Sequence, residues 1–422
     1  MNYLSSALRV TLLLSLCAFG ACDSGDTPSA DDNSSAAVDG DNEELGETTG
    51  DGTTADGTSD GSVADGTTTD DPTPEPETTC ATAPDPTGSA VIGLIYTDTN
   101  ASDISNEAMG FEGGTDTPVA EAQVNLLTWG GTEWTTDTCT DGSYQFSDLA
   151  DGVYLIEPPT EGLQCQSRNC AQRLPSAVRA GAIKLVTMGD SVPVIGSQPT
   201  FPDRLAALFG GLATVNNRNV AVAGTTSKQW LPGTNFCENT LLPEVVDADV
   251  LVISLGGNDI LEYVNGLFSG GALGGDLVGG AMDLVVEIVG NVMQTVEAVR
   301  AVNPTVDIVY CLYPNYGEAK STSPWNLVGG FLGKETMIEL LDTARGAIPY
   351  GEGLILADMY AGFEGLPLDD YLYDSLHFND AGATLYAETI FQALGGVFVG
   401  ESPLPPYGAS PLGAVHDYGL SP

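Results

Sequence analysis

From residue 183 onward the chain repeats one pattern: a short unbroken apolar run, a cluster of Gly and polar residues, then a segment with helical spacing. The runs are IKLVTMGDS (183–191), NVAVAG (219–224), ADVLVISLGGND (248–259), VDIVYCLYP (306–314) and GLILADMY (353–360). Between them, TFPDRLAALFG (200–210) reads as a helix with Thr200 at its cap and Pro202 and Asp203 in its first turn. Val285, Val289, Val292, Val296 and Val299 recur at helical spacing until NPT (303–305) ends them. A last helix is expected over 379–395. Strands that are apolar throughout must be covered on both faces, and strands separated by helices run parallel. The expected fold of this segment is therefore α/β, a three-layer arrangement of helix, parallel sheet and helix.

Open parallel sheets carry their chemistry at the carboxyl ends of the strands. Polar clusters stand at such ends: GDS (189–191), AGTTS (223–227) and GGND (256–259), while DSLH (374–377) precedes the last helix. Together they supply what ester cleavage needs. Ser191 ends a strand and offers a hydroxyl, a poor nucleophile until a base takes its proton. His377 and His416 are the two histidines of the chain, and His416 lies in the C-terminal tail, so His377 is the candidate base. Asp374, three residues earlier, is placed to orient that ring and stabilise its cation. Gly224 can present a bare backbone N–H, and Asn258 a side-chain amide, to the oxyanion of a tetrahedral intermediate.

These blocks, in this order, resemble the SGNH or GDSL-type hydrolases over residues 183–396. The resemblance implies a flavodoxin-like fold, Ser191 as nucleophile and first oxyanion donor through its own N–H, and Gly224 and Asn258 as the other donors. It also implies Asp374 and His377 as the Asp-x-x-His pair. GDSV (189–192) stands where the family has GDSL. No cofactor and no metal is expected. The Gly-rich stretch 264–280 is expected to form an apolar flap over an acyl pocket.

The rest of the chain is organised differently. The formal charge is −46, and no Lys or Arg occurs between Arg9 and Arg168. Such a chain repels nucleic acid and anionic lipid surfaces, so neither DNA nor RNA is an expected partner. Residues 1–21 read as an export signal: Arg9, the apolar run VTLLLSLCAFG (10–20), then FGAC (19–22). The last four residues resemble a bacterial lipobox, which implies lipidation of Cys22. That lipid would be the only membrane attachment, and it would place the protein in the bacterial cell envelope. Residues 22–79, acidic and rich in Gly, Ser and Thr, have too little apolar surface to fold and are expected to act as a disordered tether.

Residues 80–160 alternate as short strands, AVIGLIY (90–96), AQVNLLTW (122–129) and DGSYQFSDLADGVYLI (141–156). This additional small all-β domain resembles the prealbumin-like sandwiches of the SdrD B and Cna B kind. Its lack of Lys excludes the Lys–Asn crosslink known in some of them. Asp98, Asp103 and Glu107 have no convincing calcium-site spacing. Residues 161–182 are expected to be a linker and 397–422 an irregular tail. After Cys17 and Cys22, six cysteines remain, an even number compatible with disulfides in an exported chain. Cys165 and Cys170 are the nearest pair, and Cys311, in an apolar run, is expected to be a buried thiol.

The reading is a serine esterase or lipase-like hydrolase acting on a small-molecule, lipid or glycan ester. One alternative is a carbohydrate O-deacetylase whose β domain holds a polysaccharide, although Trp129 and Trp134 alone offer little aromatic platform. Another is a surface adhesion protein with an inert hydrolase fold, which intact catalytic blocks argue against.

Overall fold

The computed structural model describes residues 90–97, 116–159, 164–165, 171–270, 277–316, 334–348, 354–404 and 418–421. The expected signal, Cys22, the acidic tether and the 98–107 loop lie outside these residues.

The N-terminal strands are β1 (Val91–Thr97), β2 (Thr117–Pro118), β3 (Gln123–Leu127), β4 (Glu133–Asp137), β5 (Ser143–Phe146), β6 (Gly152–Glu157) and β7 (Gln164–Cys165). β3, β4 and β6 pair antiparallel, and β1 pairs with β5. A short helix α1 (Leu174–Ala180) follows, within the segment expected to be a linker. Its N-terminus is held from far away: the Asp307 carboxylate accepts from the backbone N–H groups of Gln172, Arg173 and Leu174 at 2.7, 2.8 and 2.7 Å. These are donors a helix cannot satisfy itself.

The α/β segment contains β8 (Ala182–Gly189), α2 (Phe201–Phe209), β9 (Thr214–Asn219), β10 (Val250–Ser254), α3 (Gly257–Gly270) and α4 (Leu277–Val302). It continues with β11 (Asp307–Leu312), α5 (Lys334–Ala347), β12 (Leu354–Asp358) and α6 (Asp380–Ala393). Its five strands are all parallel in the order β9-β8-β10-β11-β12. That is the flavodoxin-like order, with its switch point between β8 and β10. β10, β11 and β12 are buried along their whole length, as strands covered on both faces must be. Helices α2 and α6 pack against each other, and α4 packs against α3 and α5. The fold class is thus α/β, a flavodoxin-like parallel sheet with an extra antiparallel β region.

Four expectations change. The strand expected at NVAVAG (219–224) lies earlier, at β9, whose TVNNRN sequence is polar because it is the half-exposed edge. The 264–280 stretch is no flap where it is described: it is the end of α3 and the start of α4, with 271–276 outside the described residues. The linker holds α1. The tail expected to be irregular contains two strands, β13 (Gly396–Val399), antiparallel to β6, and β14 (Tyr418–Ser421), parallel to β1.

β13 also explains how the two regions join. The sheet β13-β6-β3-β4 has two apolar faces. Val124, Leu126, Tyr154, Ile156, Val397 and Val399 enter the small β core. Leu127, Val153 and Leu155, the alternate residues, enter the large α/β core. Arg179 on α1 adds ion pairs to Glu133 and Glu157 of this sheet at 3.1 and 2.6 Å. Cys311 is buried and unpaired, as expected, and so is Cys237. Cys139 is disulfide-bonded. Cys170 lies outside the described residues.

Candidate active site

β8 ends at Gly189, whose φ of +150° and near-contact with Ser254 let the strand run flush against β10 before the chain turns. Asp190 is buried, and its N–H donates to the Ser254 carbonyl at 3.1 Å. One Asp190 oxygen accepts from the Val192 N–H at 3.0 Å, the other from the Tyr313 hydroxyl at 2.6 Å. The turn is therefore braced on both sides of Ser191. Burial pushes the Asp190 carboxyl up to about 6, against the Tyr313 and Val192 bonds and the His377 charge.

His377 lies in the loop between β12 and α6. The Leu372–Phe378 bridge and the Tyr373 N–H bond to the His377 carbonyl, at 2.7 Å, close that loop into a tight hairpin. The Tyr316 hydroxyl holds it from outside through the Leu376 carbonyl at 2.8 Å. Behind it, Asn379 caps α6 by accepting from the Gly382 N–H. The His377 Nε2 stands 2.9 Å from the Ser191 Oγ, and its Nδ1 stands 2.7 Å from the Asp374 Oδ2. With the ring proton on Nδ1 donated to the carboxylate, Nε2 is left as an acceptor facing the serine hydroxyl. Burial alone would raise the Asp374 carboxyl. The bonds from the His377 ring and from the His377 and Leu376 N–H groups outweigh it and hold the carboxyl below its ordinary value.

Asn258 sits in the first turn of α3 and lines the same cleft as Ser191, together with Gly257, Leu261, Tyr313 and Leu376. One N–H of its amide is donated to the Thr225 carbonyl at 3.0 Å. Gly224 does not line that cleft directly. It lies one residue before Thr225, with a left-handed φ of +82°. Its loop is tied to the end of β8 by the Val222 N–H and the Thr225 hydroxyl, which both donate to the Gly189 carbonyl. The five residues singled out from the sequence thus fall into one region: Ser191, His377 and Asp374 in a hydrogen-bonded line, Asn258 facing it, Gly224 in the adjoining loop.

Sequence reasoning missed the tyrosines. Tyr313 and Tyr316 follow β11 and stand between the Ser191 cleft and a second, apolar cavity. Leu255, Ile260, Val285, Ile288, Val289 and Ala344 are among the residues lining that cavity, and it shares Gly257, Tyr313 and Tyr316 with the cleft. The apolar run into YCLYPNY (310–316) was the one local signal available. Among the described residues no cluster of His, Cys, Asp and Glu could hold a metal ion, and no helix is long and apolar enough to cross a membrane.

Residues 187–385 match the GDSL-like Lipase/Acylhydrolase family. No curated protein is significantly similar to the chain. Among solved structures, the chain is similar to a lipase from a goat rumen metagenome at 18% identity and a TM-score of 0.41, over 50% of this chain and 98% of that one. It is similar to an extracellular lipase from Streptomyces rimosus at 16% identity and a TM-score of 0.37, over 50% and 99%. A family 3 carbohydrate esterase from Clostridium thermocellum is similar at 15% identity and a TM-score of 0.32, over 50% and 94%. The family match falls on the parallel sheet and on the loops that bring Ser191, Asp374 and His377 together, so residues 187–385 form a GDSL-type hydrolase domain and the protein is a hydrolase acting on ester bonds.

Proposed function

We propose that the protein is a lipase-like serine esterase that cleaves carboxylic esters carrying an apolar acyl chain, with Ser191 as nucleophile. His377 takes the Ser191 proton as the hydroxyl attacks the ester carbonyl. The resulting imidazolium is stabilised by Asp374, which stays ionised. The oxyanion of the tetrahedral intermediate is received by the N–H groups of Ser191 and Gly224 and by the second amide N–H of Asn258. His377 then passes its proton to the leaving alkoxide, leaving an acyl-serine. Water, deprotonated by the same ring, attacks that acyl group; the bond to Ser191 Oγ then breaks, His377 returns the proton to Ser191, and the acid leaves.

The observation that carries this reading is the single line Ser191 Oγ, His377 Nε2, His377 Nδ1, Asp374 Oδ2, with spacings of 2.9 and 2.7 Å. The choice of acyl chain over acetyl-glycan rests on the apolar cavity beside the cleft, whose walls suit hydrocarbon and offer sugar hydroxyls few partners. The test is labelling with a fluorophosphonate probe, followed by turnover of nitrophenyl esters of graded chain length and of acetylated xylan. Labelling that disappears in Ser191→Ala, with butyrate or longer esters preferred over acetyl-xylan, is expected. Labelling that persists in Ser191→Ala overturns the nucleophile, and preference for acetyl-xylan overturns the substrate class.

A further inference from the structure

On the reading above, two oxyanion donors come from separate elements: Gly224 from the loop after β9, Asn258 from the first turn of α3. Neither element can hold the other at a fixed distance by backbone pairing. The residue after Asn258 does so. Asp259 is buried, and its carboxylate accepts both donors of one residue in the Gly224 loop. The Ser227 N–H donates to Oδ2 at 2.8 Å, and the Ser227 hydroxyl donates to Oδ1 at 2.6 Å. The Ser227 oxygen in turn accepts from the Asn291 side-chain amide of α4 at 2.9 Å. Ser227 and Asn291 are 1% and 7% exposed, so water does not compete for these bonds.

A buried carboxylate is costly unless its acceptors are filled. Burial raises the Asp259 carboxyl even though the two Ser227 bonds favour its ionised form. An amide at this position could accept only one of the two Ser227 donors and would turn its NH2 group towards the other. Only a carboxylate accepts both Ser227 donors; an amide would instead offer an N–H to the Ser227 oxygen and leave the hydroxyl proton without its acceptor. It works beside the Asn258-to-Thr225 bond, so the loop is fixed to α3 at residues 225 and 227, on the C-terminal side of Gly224.

We propose that Asp259, acting through Ser227, is a positioning residue that sets the spacing between the Gly224 N–H and the Asn258 amide, and so sets kcat for ester cleavage without touching substrate. This rests on the serine-esterase reading. Removing a whole oxyanion donor costs about 100- to 1,000-fold in kcat, so displacing one by a fraction of an ångström is expected to cost about 10- to 100-fold. KM, which reports the ground state, is expected to stay within about two-fold where binding and chemistry separate cleanly.

The experiment is steady-state kinetics on the full chain with nitrophenyl butyrate for Asp259→Asn, Ser227→Ala, Asn258→Ala and the double variant Asp259→Asn/Asn258→Ala. Expected are a kcat loss with retained KM in Asp259→Asn and a smaller loss of the same kind in Ser227→Ala, which keeps the backbone bond. In the Asn258→Ala background the Asp259→Asn loss should shrink several-fold, because part of the geometry it protects is already gone. If Asp259→Asn does not fold, Ser227→Ala decides. Full kcat in a folded Asp259→Asn or Ser227→Ala, or losses that multiply without coupling to Asn258→Ala, overturns the clamp. Full kcat in Asn258→Ala instead overturns the oxyanion assignment itself, a different failure.

Discussion

Asp374 and His377 are joined at both ends of the same carboxylate. Oδ1 accepts from the backbone N–H groups of Leu376 and His377, at 2.7 and 2.8 Å, while Oδ2 meets the imidazole Nδ1 at 2.7 Å. One oxygen folds the turn and the other aims the ring. The three-residue offset is what lets one short side chain do both, since an aspartate readily captures N–H groups two and three residues on.

Replacing Asp374 should therefore damage more than a charge. Asp374→Asn leaves one acceptor for two tasks and favours the wrong imidazole tautomer, and kcat should fall by about 1,000-fold or more with little change in KM. Asp374→Ala should in addition loosen the 372–378 hairpin. Comparing kcat for the two variants with proteolysis rates of that loop separates the roles. Equal loop protection in wild type and Asp374→Ala would remove the turn-forming half of the account.

Gly189 makes a sharper prediction. A Cβ there would stand 2.0 Å from the Ser254 carbonyl oxygen, and φ is +150°, outside the range L side chains adopt comfortably. Either β8 shifts against β10 or the turn carrying Ser191 opens. Gly189→Ala should lose about 2 kcal/mol or more of stability and most of its activity per folded molecule. Urea denaturation and active-site titration check the two halves, and a variant with native stability would show that the strands are not in fact so close.

Most of the sheet and the line Ser191, His377, Asp374 could be read from the sequence because their signals are local. Apolar runs mark the buried strands, and each site residue stands at the end of one or in a short motif before a helix. What escaped was written non-locally. β9 is a polar edge strand, and its apolar neighbour 219–224 imitates it better than its own residues do. α1 depends on Asp307, more than 130 residues away. β13 joins the sheet begun at residue 123 and β14 the sheet begun at residue 91, and nothing in 397–422 announces their partners. The Asp259, Ser227 and Asn291 contact spans three elements, so only the folded chain brings it into view.

Asp190 should leave a signature in the pH dependence of stability. Its folded carboxyl is pushed up to about 6 by burial, whereas an unfolded aspartate titrates near about 3.9. Between those values the native state holds more proton than the unfolded chain, so this group's contribution falls as pH rises from about 4 to about 6 and is constant above that window. Asp190→Asn cannot titrate. Its stability relative to wild type should rise across that window by on the order of 2 kcal/mol. Urea midpoints measured at intervals from pH 4 to pH 7 test this, and parallel curves for the two proteins would show that Asp190 is ionised throughout.

The apolar cavity beyond Tyr313 and Tyr316 should set chain length. Ala344 on α5 is among its lining residues and is 8% exposed. Ala344→Phe places a ring where an acyl chain would lie, at a stability cost of about 1 to 3 kcal/mol from overpacking. Each excluded methylene is worth about 1 kcal/mol of binding in an apolar site. The ratio of kcat/KM for nitrophenyl hexanoate to that for the acetate should then fall by at least about 10-fold, while acetate turnover, which needs only the Ser191 cleft, should change little. An acyl preference that survives the ring would mean that the chain leaves the cleft by another route. A loss of acetate turnover equal to that of hexanoate would mean that the substitution reaches Tyr313 or Tyr316 and disturbs the site itself.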